Sequence, residues 1–182
     1  MQLALNDYAR GAELATALIG TAPRVWRGTE KLAAVADLEA LLSAHGFAAT
    51  CTARDLTAVR SQRARLWTIV DAALGGEPAG ELARRASRLV TGGLTLSPDE
   101  RDWVFVAEGG LAAQVAAVAA VGMLGTIRAL GTERFRPCAA SFCAGAFIDA
   151  SRAGRRRYCL PGICGNRVNV ANHRARQRNT GS

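Results

Sequence analysis

Cys138-Ala139-Ala140-Ser141-Phe142-Cys143 and Cys159-Leu160-Pro161-Gly162-Ile163-Cys164-Gly165-Asn166-Arg167 decide the reading of this chain. They are two matched C-x4-C pairs separated by fifteen residues. Each pair can close a turn that points two sulfurs the same way, and two such turns face to face supply the four thiolates of a closed tetrahedral zinc site. A closed site holds a fold together and leaves no open position for a substrate. Two disulfides and an iron–sulfur cluster are the alternatives. The start Met1-Gln2-Leu3-Ala4-Leu5-Asn6-Asp7 lacks the basic residues and apolar run of a secretory signal. The expected compartment is therefore the cytoplasm, where clustered cysteines serve as ligands more often than as bridges. Common ferredoxin runs contain C-x2-C spacings, which are absent here. The expectation is one structural Zn2+ held by Cys138, Cys143, Cys159 and Cys164, with Cys51 left over as a small buried side chain.

Charge sharpens the picture around the cysteines. Residues 1–132 hold 13 Lys or Arg against 13 Asp or Glu, whereas residues 133–182 hold 10 Arg against Glu133 and Asp149, so the whole net charge of +8 lies there. Arginine can fork onto phosphate oxygens or a guanine edge where lysine cannot. A nucleic-acid contact is expected, set against the plainer reading of a solvated basic tail.

Upstream, the low aromatic content, 5%, implies a core of Ala, Leu and Val, which favours closely packed helices. Helices are expected from Asn6 or Asp7 to Ile19, from Thr29 to His45, from the capping segment Thr52-Ala53-Arg54-Asp55 to Leu74, and from Pro78 to Val90. His45 is expected to meet the dipole of its helix end, and Arg54, Arg60, Arg63 and Arg65 to form a solvated face. Leu94-Thr95-Leu96 and Asp102–Val106 read as two strands of a small hairpin, with Ser97-Pro98-Asp99-Glu100 as its turn or, alternatively, as the start of another helix. The stretch Gly109–Ile127 carries no charge, but its Ala and Gly content and the spacing of Leu111, Val115, Val118, Val121 and Leu124 predict a buried central helix, not a membrane span.

Within the basic region, Arg134–Arg136 and Ala146–Ile148 are expected to be the arms of a hairpin carrying the first cysteine pair, with Phe135 and Phe147 covering the metal. A helix follows from Gly165 to about Gln177. On it and before it, Arg155, Arg157, Arg167, Asn169, His173, Arg174, Arg176 and Arg178 are candidates for nucleic acid. Asp149, Arg156 and Asn166 are candidates for support of the zinc site, Arg156 by locking onto Asp149 or Glu133. Beside a ligand, Asn166 and Arg167 read first as structural supports of the second knuckle and only second as outward contacts. No phosphate loop, paired carboxylates or nucleophile with a base stands out, so no enzyme is expected.

The run Cys138, Cys143, Phe147, Asp149, Ser151, Arg152, Arg156, Arg157, Cys159, Cys164-Gly165-Asn166-Arg167 with its basic tail resembles the bacterial CGNR zinc finger family. Tyr158 stands where Trp is common in that family, and Asn169 where Lys is common. The resemblance implies a mainly α, α+β chain: an ABATE domain over 1–132, helical with a small β-hairpin, a finger made of a hairpin and a helix over 133–178, and a disordered tail over 179–182. It further implies a stress-induced transcription regulator; with the basic finger, the expectation is a DNA-binding protein whose N-terminal domain senses a ligand or a protein partner. Since a duplex operator often calls for a dimer, a homodimer through the helix Gly109–Ile127 or an exposed helical face is an option. The alternative is a protein-interaction or RNA-binding module.

Overall fold

The computed structural model describes residues 1–180, with the backbone alone at 161, 172, 175 and 178–180. Its centre is the uncharged stretch, which forms α5 (Leu111–Leu130). Most of its inward positions are Ala or Val, and Val115, Ala117, Val118, Ala119, Ala120 and Met123 are essentially inaccessible. By length and composition this helix could cross a membrane, but more than half of its most apolar window is buried inside the protein.

Around it stand α1 (Tyr8–Gly20), α3 (Ala53–Leu74) and α4 (Ala79–Ser87), with α2 (Val35–Ala44) outside α1 and α3. The tightest packing is α1 on α5, and glycine permits it. A methyl on Gly122 would lie 2.1 Å from the Ala12 nitrogen, and one on Gly11 would lie 2.6 Å from the Val118 carbonyl oxygen. As expected, α3 starts at the Thr52 cap: the Asp55 N–H donates to Thr52 Oγ1, and the Thr52 N–H returns to Asp55 Oδ2 at 3.0 Å.

Two expectations fail on the same contact. The helix expected from Thr29 begins only at Val35, where Asp37 accepts from the Ala34 N–H at 2.8 Å. Residues 29–34 are instead drawn across α3 by Arg63. That arginine is not solvated: it is 6% exposed and grips Glu30 with two hydrogen bonds of 2.6 and 2.5 Å. Arg60 also turns inward, donating to the Leu32 and Ala33 carbonyls. Glu30 is held below the usual carboxylate range, first by the Arg63 hydrogen bond, with burial opposing it. His45 follows α2, where burial pushes its pKa down, contrary to a stabilised cation at a helix end.

The hairpin expected near residue 100 is present as β2 (Gly92–Leu96) and β3 (Trp103–Ala107), but a third strand joins it. β1 (Gln2–Ala4) pairs antiparallel with β3, giving the order β1-β3-β2. Beyond α5, β4 (Phe135–Pro137) and β5 (Ala146–Ile148) form the second expected hairpin. It does not stand apart from the helices. Phe135, Ala146 and Ile148 belong to the main core, and the Ile148 N–H donates to Thr16 Oγ1 of α1 at 3.0 Å. Of the two phenylalanines expected over the cysteines, Phe147 packs there, with Tyr158, Leu160 and Val168 beside it, while Phe135 faces the helices. The chain closes with α6 (Asn166–Thr180), entered through one wide π-type turn, Pro161–Gly165; positions 181 and 182 of the expected tail lie outside the described residues.

Candidate metal centre and the arginines around it

The β4–β5 hairpin delivers the first cysteine pair. The Cys138 N–H donates to the Gly145 carbonyl at 2.8 Å and the Cys143 N–H to the Ala140 carbonyl at 2.9 Å, which curls the loop so that both sulfurs face the same side. The turn ahead of α6 delivers the second pair, with the Cys164 N–H donating to the Leu160 carbonyl at 2.7 Å. The two knuckles are tied by the Ala139 N–H donating to the Arg157 carbonyl, also at 2.8 Å.

All four Sγ atoms lie within 4.8 Å of one another, with Cys143 to Cys159 at 3.6 Å and Cys159 to Cys164 at 3.8 Å. A disulfide needs about 2.05 Å, so the cysteines are unbridged. Zinc–sulfur bonds of about 2.3 Å in a tetrahedron separate sulfurs by about 3.8 Å, which these spacings match. The donor set argues the same way. With no cation among them, burial and the neighbouring sulfurs push the Cys159 thiol far up and Cys164 to about 11. Cys138 moves down despite burial, because the Cys159 and Ala140 main-chain N–H groups favour its thiolate. Four sulfurs this close carry their full negative charge only around a metal ion. The site holds one structural zinc, which supplies a cross-link between two segments and leaves no ligand position open.

Support for the site differs in detail from the expectation. Asp149 is buried and accepts the Ser151 N–H, the Ser151 hydroxyl at 2.5 Å and the Arg156 main-chain N–H at 3.1 Å. Its pKa falls although burial opposes the shift, because these donors and the Arg136 cation favour the carboxylate. The ion-pair partner is thus Arg136, at 3.6 Å, and not Arg156. The Arg156 guanidinium turns to the Tyr158 and Cys159 carbonyls and lies over the Phe147 ring. Asn166 donates to the Gly162 carbonyl at 2.9 Å, bracing the turn that carries Cys164.

The ten arginines divide by what holds them. Arg134 donates to the Asp149 and Ser151 carbonyls, Arg136 to those of Glu133 and Gly154, and Arg156 is engaged as above. Arg152, Arg155, Arg157, Arg167, Arg174 and Arg176 are exposed, as are Asn169 and His173; the side chain of Arg178 lies outside the described residues. On α6, Asn169, His173 and Arg176 fall on one strip by helical spacing. Arg167 and Arg174 fall on another with Ala171 between them, and Arg167 and Ala171 line a cleft against Val25, Trp26 and Arg27. Sequence reasoning missed this cleft, and also Gly145, where a methyl would lie 2.8 Å from the Cys159 sulfur.

Two family models match the chain. One, described as "CGNR zinc finger", covers residues 134–177, and the other, described as "Putative stress-induced transcription regulator", covers residues 12–127. A search among curated proteins returns no match. The second model spans well over half of the chain and the first takes in all four zinc ligands, so this protein belongs to the ABATE family and ends in a CGNR zinc finger.

Proposed function

We propose that this protein is a cytoplasmic, DNA-binding transcription regulator in which the zinc module and α6 form the nucleic-acid surface and the N-terminal domain, residues 1–132, senses a ligand or a partner. The observation that carries the reading is the disposition of charge over 133–182. The two carboxylates there are Glu133 and Asp149, of which Asp149 is buried, while Arg152, Arg155, Arg157, Arg167, Arg174 and Arg176 stand exposed. Such a surface attracts a polyanion by releasing its counterions. Asn169 and His173, exposed beside Arg176, add groups able to read base edges. Arg155 and Arg157 flank the inward-turned Arg156 and serve phosphates, and Arg178 extends the basic run.

The zinc is a scaffold in this account, so its loss abolishes binding by unfolding the module. Asn166 supports the turn and is not a contact. A duplex read symmetrically calls for a second copy, and α5, whose inward face is buried in the core, leaves an exposed face elsewhere to supply such a contact. The test is enrichment of genomic fragments by the purified, zinc-loaded chain. A tenfold or greater preference for particular duplexes over random DNA is the expected result. Equal affinity for all duplexes, or preference for RNA, would favour the alternative of an RNA-binding or protein-interaction module.

A further inference from the structure

Between the zinc module and the helical domain lies a cleft of about 500 Å³, within the range of small-molecule sites. One lip is the strap that follows α1. Trp26 is pinned there by its Nε1–H donating to the Gly20 carbonyl at 2.7 Å, and Lys31 lies over its ring. The other lip is Phe142, Leu160 and Ile163 with the first turns of α6. Phe142 and Ile163 leave large apolar surfaces open, 39% and 37% exposed. Among the described residues no carboxylate lines the cleft; the zinc ligands Cys143 and Cys164 form part of its wall, their charge offset by the metal, and each lip brings a guanidinium: Arg27 from the strap and Arg167 from α6. Neither makes a hydrogen bond or ion pair among the described residues. Arg27 is also held at φ 54°, the left-handed region that a long side chain avoids, and Gly28 follows at φ 92°. Strained backbone at a cleft is where ligand clamps are found.

We propose that this cleft binds a small organic anion, an aromatic or aliphatic body bearing a carboxylate or sulfonate. The body lies against Trp26, Phe142, Leu160 and Ile163, and the anionic group meets Arg27 and Arg167. Binding of the anion stands on the cleft alone. Its consequence, that an occupied cleft withdraws Arg167 and fixes α6 against the strap, rests on the nucleic-acid reading above.

The probe is 1-anilinonaphthalene-8-sulfonate, with uncharged N-phenyl-1-naphthylamine as its counterpart, titrated into the zinc-loaded full chain. The expected result is saturable fluorescence at one sulfonate probe per chain. Arg27→Gly suits the backbone there and should weaken the sulfonate probe tenfold or more, leaving the neutral probe, zinc content and melting unchanged. Phe142→Asp should weaken both probes. Failure to saturate, or an Arg27→Gly variant that binds both probes as before or both more weakly, overturns the proposal. Duplex DNA separates the two readings. If the sulfonate binds as expected while duplex does not bind at all, the cleft stands and the regulator reading falls. Displacement of the sulfonate by duplex is expected, because Arg167 serves both; if Arg27→Gly loses duplex affinity as much as sulfonate affinity, Arg27 belongs to the nucleic-acid surface and the cleft proposal falls.

A separate observation concerns the sheet. Leu3, Phe105 and Leu94 form one row across β1, β3 and β2; the first two are buried at 2% and 3%, while Leu94 is 57% exposed. Leu96 and Trp103, paired in the next row, are exposed too, so the core-facing side of the sheet overhangs the helices. The Glu108 N–H donates to the Thr91 carbonyl and the Ser97 N–H to the Asp102 carbonyl. By antiparallel alternation the main-chain groups of Gly92, Leu94 and Leu96 therefore point to the free edge. We infer that a second copy of this chain pairs here, β2 against β2 about a two-fold axis at Leu94. That register matches Gly92 with Leu96 of the other copy and sets each exposed Leu94 beside its counterpart at the axis. Light scattering should give twice the chain mass of 19.1 kDa. Leu94→Pro, tolerated at an edge whose N–H faces outward, and Leu94→Lys should both give single chains with unchanged zinc content. A single-chain mass for the wild type at 100 µM scale concentrations, about what a weak dimer needs, or a doubled mass in both variants, contradicts the assignment.

Discussion

Gly145 sits where a methyl would come within 2.8 Å of the Cys159 sulfur and 3.1 Å of the Cys143 sulfur, while its own N–H donates to Cys143 at 3.3 Å. Gly145→Ala is expected to weaken zinc binding by tenfold or more, measured by competition with a chromophoric chelator, since the sulfurs must part to admit it. The Arg63–Glu30 pair tests a different kind of residue. Arg63→Met leaves Glu30 without its main partner and should cost about 3 kcal/mol, read from denaturant unfolding. Because folding lowers the Glu30 pKa from 4.5, the pair contributes fully above that value. The contribution is lost as pH falls through the lower folded value. The stability gap between wild type and Glu30→Gln should therefore be wide at neutral pH and close in strong acid. A gap that does not change with pH would mean that the ion pair contributes little.

At the scale of elements, α5 is close-packed through its glycines. On an exposed helix, Gly→Ala stabilises by about 0.8 kcal/mol; at Gly122 the new methyl would meet the Ala12 nitrogen at 2.1 Å, so the sign should reverse to a loss of about 3 kcal/mol. A thermal melt decides between them. Much of this level could be read beforehand. The Thr52 box, the uncharged run before Ile127 and the two cysteine spacings are local signals, and α3, α5 and the knuckles follow them. What could not be read depended on partners far away in sequence. Glu30 meets Arg63 across 33 residues, β1 has three residues and exists only by pairing with β3, and Arg27 and Arg167 converge from opposite ends of the chain. Charge alone likewise could not tell Arg134, Arg136 and Arg156, engaged with carbonyls, from arginines left at the surface.

For the whole molecule, zinc ties the turn before α6 to a hairpin that is itself part of the main core. Removing the metal should therefore unfold the cysteine knuckles and free α6 while α1 to α5 persist. Chelation is expected to remove only the C-terminal share of the circular dichroism signal and to leave a cooperative melt. Full collapse would mean that the helical core also depends on the ion. The central claim, that a zinc-held ridge of arginines meets a polyanion, is tested most directly by one titration: fluorescence anisotropy of a labelled duplex against zinc-loaded protein at stepped salt. Log K against log salt should fall with a slope of about −3 to −5, as expected for several arginine–phosphate contacts. A flat line would contradict it.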